Sequence, residues 1–343
     1  MPIEITKAEE TSTPPQKPEQ SISSSDFIPT EEKLRFKDVV GLDEAKQLLK
    51  RTVGMSLTHK DEYEHYGKER KLGLLLYGPP GSGKTFIAKA LAGEFAIPII
   101  IANIAELISE YVGETAKNIA AIFKQVNDTA KENGKGCILF FDEFDAIARK
   151  RSGRAEGEAA ALRSALDTLL TEMDGVSQRN EDTFIIAATN MPWELDAAVK
   201  RAGRFEDMLY IGLPKLSDRR KLLKKELARA SKDVVSVWTW RVARATYGWS
   251  NADLKKLCDD SKAFAMERKI AGKSGKITTG LMVWLASRTK TAGNIEWFAQ
   301  AKDTLKNMGD ADQVYAPLKK ESESLTDFQE VKSFIRIFSL YIF

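Results

Sequence analysis

Short apolar runs alternate with longer stretches of helical periodicity between residues 36 and 213. Each apolar run is bounded by glycine, proline or polar residues, and this pattern predicts buried β-strands. Strands that alternate with helices predict an α/β fold, in which a parallel sheet is covered by helices on both faces. The predicted strands are Leu72–Tyr77, Ile97–Ala102, Cys137–Phe141, Thr183–Ala188 and Met208–Ile211, and the predicted helices span residues 84–95, 115–132, 154–173 and 194–201.

The strand pattern stops after Pro214, and only helical periodicity follows it. Ser250 and Asp253 have the spacing of a capping box and predict the start of one of these helices. The helices are predicted over residues 218–230, 236–247, 251–270, 279–288, 293–307 and 320–342. The chain is therefore expected to divide into a large α/β domain over residues 34–213, a helical lid domain over 214–290 and a C-terminal helical extension over 291–343.

One loop between a predicted strand and a predicted helix has the pattern of a phosphate-binding loop. It reads Gly78-Pro79-Pro80-Gly81-Ser82-Gly83-Lys84-Thr85, and it follows the first strand directly. Glycines let such a loop curl so that its N–H groups face phosphate oxygens, beside the positive end of the next helix. We expect Lys84 to reach the β- and γ-phosphates of ATP and Thr85 to ligate Mg²⁺. The pattern predicts the αβα architecture of P-loop proteins.

Two adjacent carboxylates, Asp142 and Glu143, follow the apolar strand that begins at Cys137. In a parallel sheet, ligands bind beyond the carboxyl ends of the strands, so both side chains should face the phosphate loop. Asp142 can hold Mg²⁺, and Glu143 can orient and deprotonate an attacking water. Paired acids after a strand are also common as helix-capping charges, but the upstream loop favours catalysis.

Further polar residues lie between the strand Thr183–Ala188 and the last predicted strand. Asn190 comes directly after the strand that begins at Thr183, where its amide could align a water or touch the γ-phosphate, although asparagine is also a frequent turn residue. Arg201 and Arg204 flank Gly203. Surface arginines are usually only solvated, and these two gain a catalytic meaning only if they reach the nucleotide of a neighbouring subunit.

The chain resembles the AAA ATPases proper, the branch with the ESCRT-disassembling, microtubule-severing, Cdc48-like and proteasomal motors. The resemblance covers residues 36 to about 290, and it rests on motifs that occur in the order of the family. Besides the phosphate loop, the motifs are Phe36-Lys37-Asp38-Val39-Val40-Gly41, Tyr111-Val112-Gly113-Glu114, Phe141-Asp142-Glu143, Asp174-Gly175-Val176, Ala188-Thr189-Asn190, Leu195-Asp196, Gly203-Arg204-Phe205 and Gly248-Trp249-Ser250-Asn251-Ala252-Asp253-Leu254.

This resemblance implies a ring, usually a hexamer, with ATP bound between subunits. It makes Asn190 the sensor residue, directs Arg201 and Arg204 to the neighbour's nucleotide, and makes Tyr111 and Val112 a pore loop that grips a polypeptide. Tyr111 has a simpler alternative as a packed surface aromatic. The candidate nucleotide-binding residues are Val40, Gly41, Pro80, Gly81, Ser82, Gly83, Lys84, Thr85, Phe86, Asp142, Gly248 and Ala252.

Two positions depart from the usual motifs of the family. Ala202 stands where proline or a bulky residue is frequent, which would only loosen that turn. Asn251 replaces a frequent glycine in the lid motif. Asparagine imitates glycine best in the left-handed backbone conformation, so the contact with the nucleotide is expected to persist.

Composition adds an uneven distribution of charge. Residues 1–33 are rich in Pro, Ser, Thr and Glu and carry seven acidic and three basic side chains, which predicts a disordered tail. The whole chain has a net charge of +3, too little to argue for nucleic acid. The two cysteines, Cys137 and Cys258, lack metal-ligand spacing and suit a reducing compartment. Since neither a spanning apolar run nor a signal peptide is apparent, a cytoplasmic protein is expected.

The favoured function is ATP-driven remodelling, unfolding or disassembly of a protein that is pulled through the pore of a single ring. The alternative is a motor on nucleic acid or a nucleoprotein, suggested by the basic run Arg149-Lys150-Arg151 with Arg154. A solvated helix end explains that run equally well. A ring that only binds nucleotide as a scaffold is disfavoured, because Glu143 and both arginines are present.

The last residues, 333–343, form an unusually apolar segment. The simpler interpretation is a helix that packs back onto the core. The alternative is a segment that docks on a membrane surface or on a partner.

Overall fold

The computed structural model describes residues 28–67, 72–107, 114–148, 156–178, 182–228, 237–291, 294–306 and 313–325. A five-stranded sheet lies at the centre of the first half of the chain. All four strand pairings are parallel, and the strands run in the order β2-β3-β4-β1-β5. The strands are β1 Gly73–Tyr77, β2 Ile99–Asn103, β3 Cys137–Asp142, β4 Thr183–Thr189 and β5 Asp207–Tyr210.

Helices occupy both faces of the sheet and then continue alone after β5. The α-helices are α1 Asp43–Leu49, α2 Met55–Thr58, α3 Lys60–His65, α4 Lys84–Phe95, α5 Ile104–Leu107, α6 Glu114–Asn133, α7 Asp145–Ala148, α8 Glu156–Gln178, α9 Leu216–Ala228, α10 Thr239–Ala245, α11 Asn251–Ile270, α12 Thr279–Arg288, α13 Asn294–Lys306 and α14 at residues 316–325. A π-helix spans Lys50–Gly54, and 3₁₀ helices span Phe36–Asp38, Ala197–Lys200 and Gln313–Tyr315.

Side chains of each strand alternate between two separate cores. In β1, Leu74 and Leu76 are fully buried with Leu91 of α4, whereas Leu75 is buried on the other face with Phe123 of α6 and Leu169 of α8. A strand buried on both faces needs apolar residues at every position, which is why the strands read as continuous apolar runs. The predicted three-layer αβα fold with a helical region after it is confirmed.

The helical part after Pro214 has its own buried cluster, formed mainly by α9, α10, α11 and α12. Ser250 caps α11: its hydroxyl accepts from the Asp253 N–H at 3.1 Å, and the Asp253 carboxylate accepts from the Ser250 N–H at 2.9 Å. This is the predicted capping box, which gives a hydrogen-bond partner to two backbone N–H groups at the start of α11. The proposed division into domains stays a prediction, although the clusters are compatible with it.

The prediction of a helix over residues 194–201 is wrong. Only the 3₁₀ helix Ala197–Lys200 forms there, and the Asp196 carboxylate caps it by accepting from the Ala198 N–H at 2.8 Å. Arg201 is already extended, and Gly203 has a φ of 82°. Only four residues lie between Asp196 and the extended Arg201, and these are too few to form a run of α-helical hydrogen bonds.

Residues 30–34 do not behave as part of a free tail. Thr30 exchanges backbone hydrogen bonds with Ile99 at 2.9 and 3.1 Å, and a Cβ on Gly93 would lie 2.0 Å from the Leu34 carbonyl oxygen. Residues 30–33, which belong to the predicted tail, thus lie in a segment that contacts β2 and α4. Residues 1–27 of the predicted tail lie outside the described residues.

The C-terminal helices pack on the sheet, beside the carboxyl end of β1. Tyr77 is fully buried there in a cluster with Trp193, Trp297 and Tyr315. The helix predicted over residues 293–307 is observed as α13. The helix predicted over 320–342 begins earlier, at residue 316, and its part beyond residue 325, like the apolar segment 333–343, lies outside the described residues. Within the described ranges, no helix combines the length and apolarity that crossing a membrane requires.

Candidate active site

The phosphate loop connects the buried strand β1 to α4 and requires glycine at its first position. Gly78 has a φ of 154°, and a Cβ placed on it would lie 2.1 Å from the carbonyl oxygen of Ile211. Gly83 stands before the first residue of α4 with a φ of 105°. The loop therefore delivers the N-terminus of a 12-residue helix to the carboxyl edge of the sheet, where its N–H groups can bind an anion.

Lys84 lies inside the loop and is only 8% exposed. Its ammonium donates to the carbonyl oxygens of Gly78 at 3.0 Å and Pro79 at 3.1 Å, and to Oδ1 of Asn190 at 2.7 Å. Burial lowers the pKa of Lys84 to about 8, although the nearby charges of Asp142 and Asp145 act in the opposite direction. The site thus holds a desolvated cation that a phosphate group can stabilise.

Thr85 and Asp142 are already joined across the loop. The Thr85 hydroxyl, in the first turn of α4, donates to Oδ2 of Asp142 at the end of β3, at 2.7 Å. A hydroxyl and a carboxylate oxygen side by side are the hard oxygen ligands that Mg²⁺ takes in nucleotide sites. The two residues therefore fit the metal that the loop pattern predicts.

Glu143 follows Asp142 in a backbone conformation that is rare for a side-chain-bearing residue. Its φ is 52°, its N–H donates to Oδ1 of Asp142 at 3.0 Å, and its side chain is exposed. The next residue, Phe144, is fully buried, and its N–H bonds to the Ala188 carbonyl oxygen at 2.9 Å. Packing of Phe144 thereby stabilises a strained turn that presents the Glu143 carboxylate to solvent beside Asp142.

Asn190 is held by contacts on its backbone as well as through its amide. The Asn190 N–H donates to Oδ1 of Asp145 at 3.4 Å, an oxygen that also accepts from the Thr189 hydroxyl at 3.0 Å. The Asn190 carbonyl oxygen accepts from the indole N–H of Trp297 at 2.7 Å. Sequence reasoning missed Asp145 and Trp297. Asp145 lies three positions after Asp142 in the same acidic segment and could have been found there, whereas no local signal identifies Trp297.

The first turn of α11 lies against the phosphate loop. The Ala252 N–H donates to the Gly81 carbonyl oxygen at 3.2 Å, and the Asn251 amide donates to the Ser82 carbonyl oxygen at 2.6 Å. Asn251 was expected to adopt the left-handed backbone conformation, and this is wrong: Asn251 is helical and contacts the loop through its side chain. Gly248 has a φ of 78°. The Ser82 hydroxyl is fully buried and lacks a partner among the described residues, so this loop retains a polar group for a ligand.

Three other candidate nucleotide-binding residues have fewer contacts with the phosphate loop and its neighbours. Gly41 is buried with a φ of 69°, and a Cβ there would lie 2.6 Å from Oδ2 of Asp218 in α9. Val40 beside it is half-buried, and Phe86 is 41% exposed. Tyr111 and Val112, the predicted pore loop, and the basic run at residues 149–154 lie outside the described residues.

The two candidate arginine fingers differ in their surroundings. Arg204 donates from Nε and Nη2 to the two oxygens of Asp174, at 2.9 and 2.8 Å, and from Nη1 to the Ala198 carbonyl oxygen at 3.0 Å. The hydrogen bond to Arg204 holds the pKa of Asp174 below its usual value. The Arg201 side chain is exposed, and within the described part of the chain no hydrogen bond or ion pair holds that side chain. The structure thus engages Arg204 within its own chain.

A parallel sheet of this order, with a glycine-rich loop, a lysine, a threonine and an aspartate meeting at its carboxyl edge, defines a P-loop nucleotide-binding domain. Residues 74–213 match the family described as "ATPase family associated with various cellular activities (AAA)". The chain belongs to this family of the AAA+ superfamily, as its motifs predict.

A curated relative supports the same assignment. The chain is similar to the "Peroxisomal ATPase PEX6" of Debaryomyces hansenii, with 33% identity over 270 residues. The match covers 77% of this chain and 22% of that protein. The chain therefore spans about a fifth of the length of this relative.

The buried position of Lys84 leads to a prediction about pH. Phosphate groups favour the charged form of Lys84. Above pH 8, where Lys84 of the ligand-free protein is mostly neutral, ATP binding is therefore coupled to uptake of a proton by Lys84. We expect the Kd for ATP to rise roughly tenfold per pH unit above about pH 8 and to stay nearly flat just below it. Titration with a fluorescent ATP analogue at several pH values measures this. A Kd that is unchanged between pH 7 and 9.5 would contradict it.

Proposed function

We propose that this protein hydrolyses ATP with Mg²⁺ at the loop of residues 78–85. The observation that carries the proposal is the hydrogen-bonded pairing of Lys84 with Asn190 and of Thr85 with Asp142 at one edge of the sheet. Lys84 would bind the β- and γ-phosphates, and Thr85 and Asp142 would hold Mg²⁺, which neutralises phosphate charge when bound.

Glu143 is proposed as the residue that activates the attacking water. Its exposed carboxylate stands next to Asp142, on the strained turn after β3. A carboxylate held beside the Mg²⁺ ligand Asp142 can accept a proton from the attacking water. Asn190, whose amide already reaches Lys84, is proposed to align the γ-phosphate or the water.

We further propose that each site is completed by a neighbouring copy in a ring, which family members form as hexamers. Arg201 is the residue offered to the neighbour's nucleotide, since its side chain is exposed and unpaired among the described residues. Arg204 can take that role only by leaving Asp174. The bidentate pair of Arg204 with Asp174 stabilises the turn that presents Arg201.

Mixing two inactive variants tests the shared site. Arg201→Ala and Glu143→Gln should each be inactive alone. In mixed rings, a site with an intact Glu143 can receive Arg201 from a Glu143→Gln neighbour, so roughly a quarter of the sites in a 1:1 mixture are complete. ATPase activity should therefore reappear on mixing. A chain that carries both substitutions is the control and should restore nothing when mixed with Arg201→Ala. Absence of recovery despite verified subunit exchange would place the site within one subunit.

The work driven by hydrolysis is proposed to be remodelling or unfolding of a protein that passes through the ring pore, gripped by Tyr111 and Val112. The similarity to a relative named a peroxisomal ATPase supports an ATP-driven motor. A cytoplasmic location is proposed with it. Action on nucleic acid is the alternative, which the basic run at residues 149–154 would serve.

Substrate capture separates these two functions. A ring of the Glu143→Gln variant should hold ATP and its substrate without release, and mass spectrometry then identifies what is held. A protein that is lost when Tyr111→Ala is added to the variant supports threading of a polypeptide. Recovery of nucleic acid would overturn the proposed substrate class, whereas a protein that is held equally without Tyr111 would overturn the proposed grip by the pore loop.

A further inference from the structure

The first turn of α13 lies between the two halves of the nucleotide site. The indole N–H of Trp297 donates to the Asn190 carbonyl oxygen at 2.7 Å. Three residues earlier, the Asn294 amide donates to Oδ2 of Asp253 at 3.3 Å. Trp297 is 6% and Asn294 is 1% exposed. One buried helical turn thus contacts both Asn190, which follows β4 and binds Lys84 through its amide, and the helix that touches the phosphate loop.

On the sheet side, Trp297 restrains the backbone that carries the Asn190 amide. The N–H of Asn190 is held by Asp145 and its carbonyl oxygen by Trp297, so the peptide groups on both sides of its Cα are restrained. The Trp297 ring packs against Trp193, with centroids 5.5 Å apart, and against Phe298 at 4.9 Å. A side chain whose backbone is restrained on both sides loses little entropy when it reaches Lys84.

On the lid side, Asn294 contacts the carboxylate that caps α11. The same Asp253 oxygen accepts from the N–H of Ser250 at 2.9 Å and from its hydroxyl at 2.7 Å. The first turn of α11 holds the phosphate loop through Asn251 and Ala252. Asn294 therefore ties α13 to the end of the helix that faces the loop.

A second anchor lies further along the same segment, in α14. The half-buried Glu321 carboxylate accepts from the Tyr210 hydroxyl at 2.9 Å and from the Leu213 N–H at 3.1 Å, where the sheet region leads into the helical part. Tyr247, just before Gly248, contacts Ser324 at 3.1 Å. Helices α13 and α14 thus contact residues of both the sheet region and the helical part, through the first turn of α13, Glu321 and Ser324.

We propose that the first turn of α13 is a bridge that positions both sides of the nucleotide site: Trp297 is a positioning residue for Asn190, and Asn294 for the N-terminus of α11. The proposal rests on the ATPase function proposed above. It predicts separable effects, since loss of the Trp297 bond affects turnover and loss of the Asn294 bond affects nucleotide binding.

Trp297→Phe tests the first arm, because it keeps an aromatic ring and removes the N–H. We expect kcat to fall roughly 3- to 10-fold with little change in KM for ATP. Trp193→Phe is the matched control: this buried neighbouring indole N–H has no partner among the described residues, so the change should leave kcat unaltered. An equal loss in both variants would assign the effect to packing and overturn this arm.

A double-mutant cycle with Asn190→Ala separates positioning from general destabilisation. Without the Asn190 amide, Trp297→Phe should lower kcat no further. The same fold-loss in the presence and absence of that amide would overturn the proposal for Trp297. Thermal unfolding of each variant is measured alongside, and a Trp297→Phe protein that does not fold leaves the decision to the second arm.

Asn294→Ala tests the second arm and is expected to fold, because the Asn294 side-chain oxygen is buried without a partner among the described residues and is removed as well. Affinity for a fluorescent ATP analogue should weaken roughly 3- to 10-fold. Unchanged affinity would overturn the bridge. If the wild-type protein binds the analogue but hydrolyses no ATP, the proposed function fails, while the binding result for Asn294 still decides the bridge.

Discussion

Replacing Glu143 with glutamine is expected to lower ATP turnover by a factor on the order of 10² to 10⁴ while ATP binding persists. The side chain keeps its size, and the phosphate contacts assigned to Lys84 and Thr85 remain, so only the proton acceptor is lost. The strained backbone at Glu143, with its φ of 52°, is equally open to glutamine. Steady-state phosphate release and nucleotide titration measure the two properties separately.

A suitable control is Glu132→Gln, the same chemical change at an exposed position near the end of α6. It should retain wild-type turnover. If the Glu143→Gln protein hydrolyses ATP at a normal rate, Glu143 does not activate the water. Loss of ATP binding in this variant would instead indicate that the carboxylate supports the nucleotide site itself.

Replacing Lys84 with alanine is expected to remove ATP binding at ordinary nucleotide concentrations. Truncating one partner of a buried, hydrogen-bonded charge pair costs about 2–5 kcal/mol, which weakens Kd roughly 30- to 5000-fold. The loss should be large because the ammonium is already desolvated and aimed into the loop by Gly78, Pro79 and Asn190. Titration with a fluorescent ATP analogue measures it.

Lys89 offers the matched control on the same helix. Its ammonium lies 3.5 Å from the Glu32 carboxylate in a partly exposed pair, which contributes little to stability. Lys89→Ala should bind ATP as the wild type does. A Lys84→Ala protein that is folded by circular dichroism and binds ATP within a few-fold of the wild-type affinity would exclude Lys84 as a phosphate ligand.

Much of the large fold could be predicted from the sequence because a parallel sheet must bury both faces of its strands. Continuous apolar runs such as Leu72–Tyr77 therefore identified all five strands to within two residues at either end. The long helices α4, α6 and α11 were predicted for a similar reason, since their periodicity extends over at least three turns. Short elements such as α5 and α7 carry too few residues for a period to be read.

Contacts between distant residues account for what the sequence could not predict. Arg204 reads as a free guanidinium until the fold brings it to Asp174, 30 positions earlier. Trp297 reads as one more buried aromatic until α13 reaches the end of β4, where its indole bonds to a residue 107 positions away. Such pairs depend on the path of the whole chain, and no local period encodes them.

By itself, the sequence determined the α/β class and the chemistry of the nucleotide loop, because both depend on patterns within a few residues of one another. The tertiary structure decided how that chemistry is assembled. It joined Thr85 to Asp142 and Lys84 to Asn190, engaged Arg204 and left Arg201 exposed, and packed α13 between β4 and α11. These arrangements follow from the packing of elements that are distant in the chain, and so they appear only when the folded chain is seen.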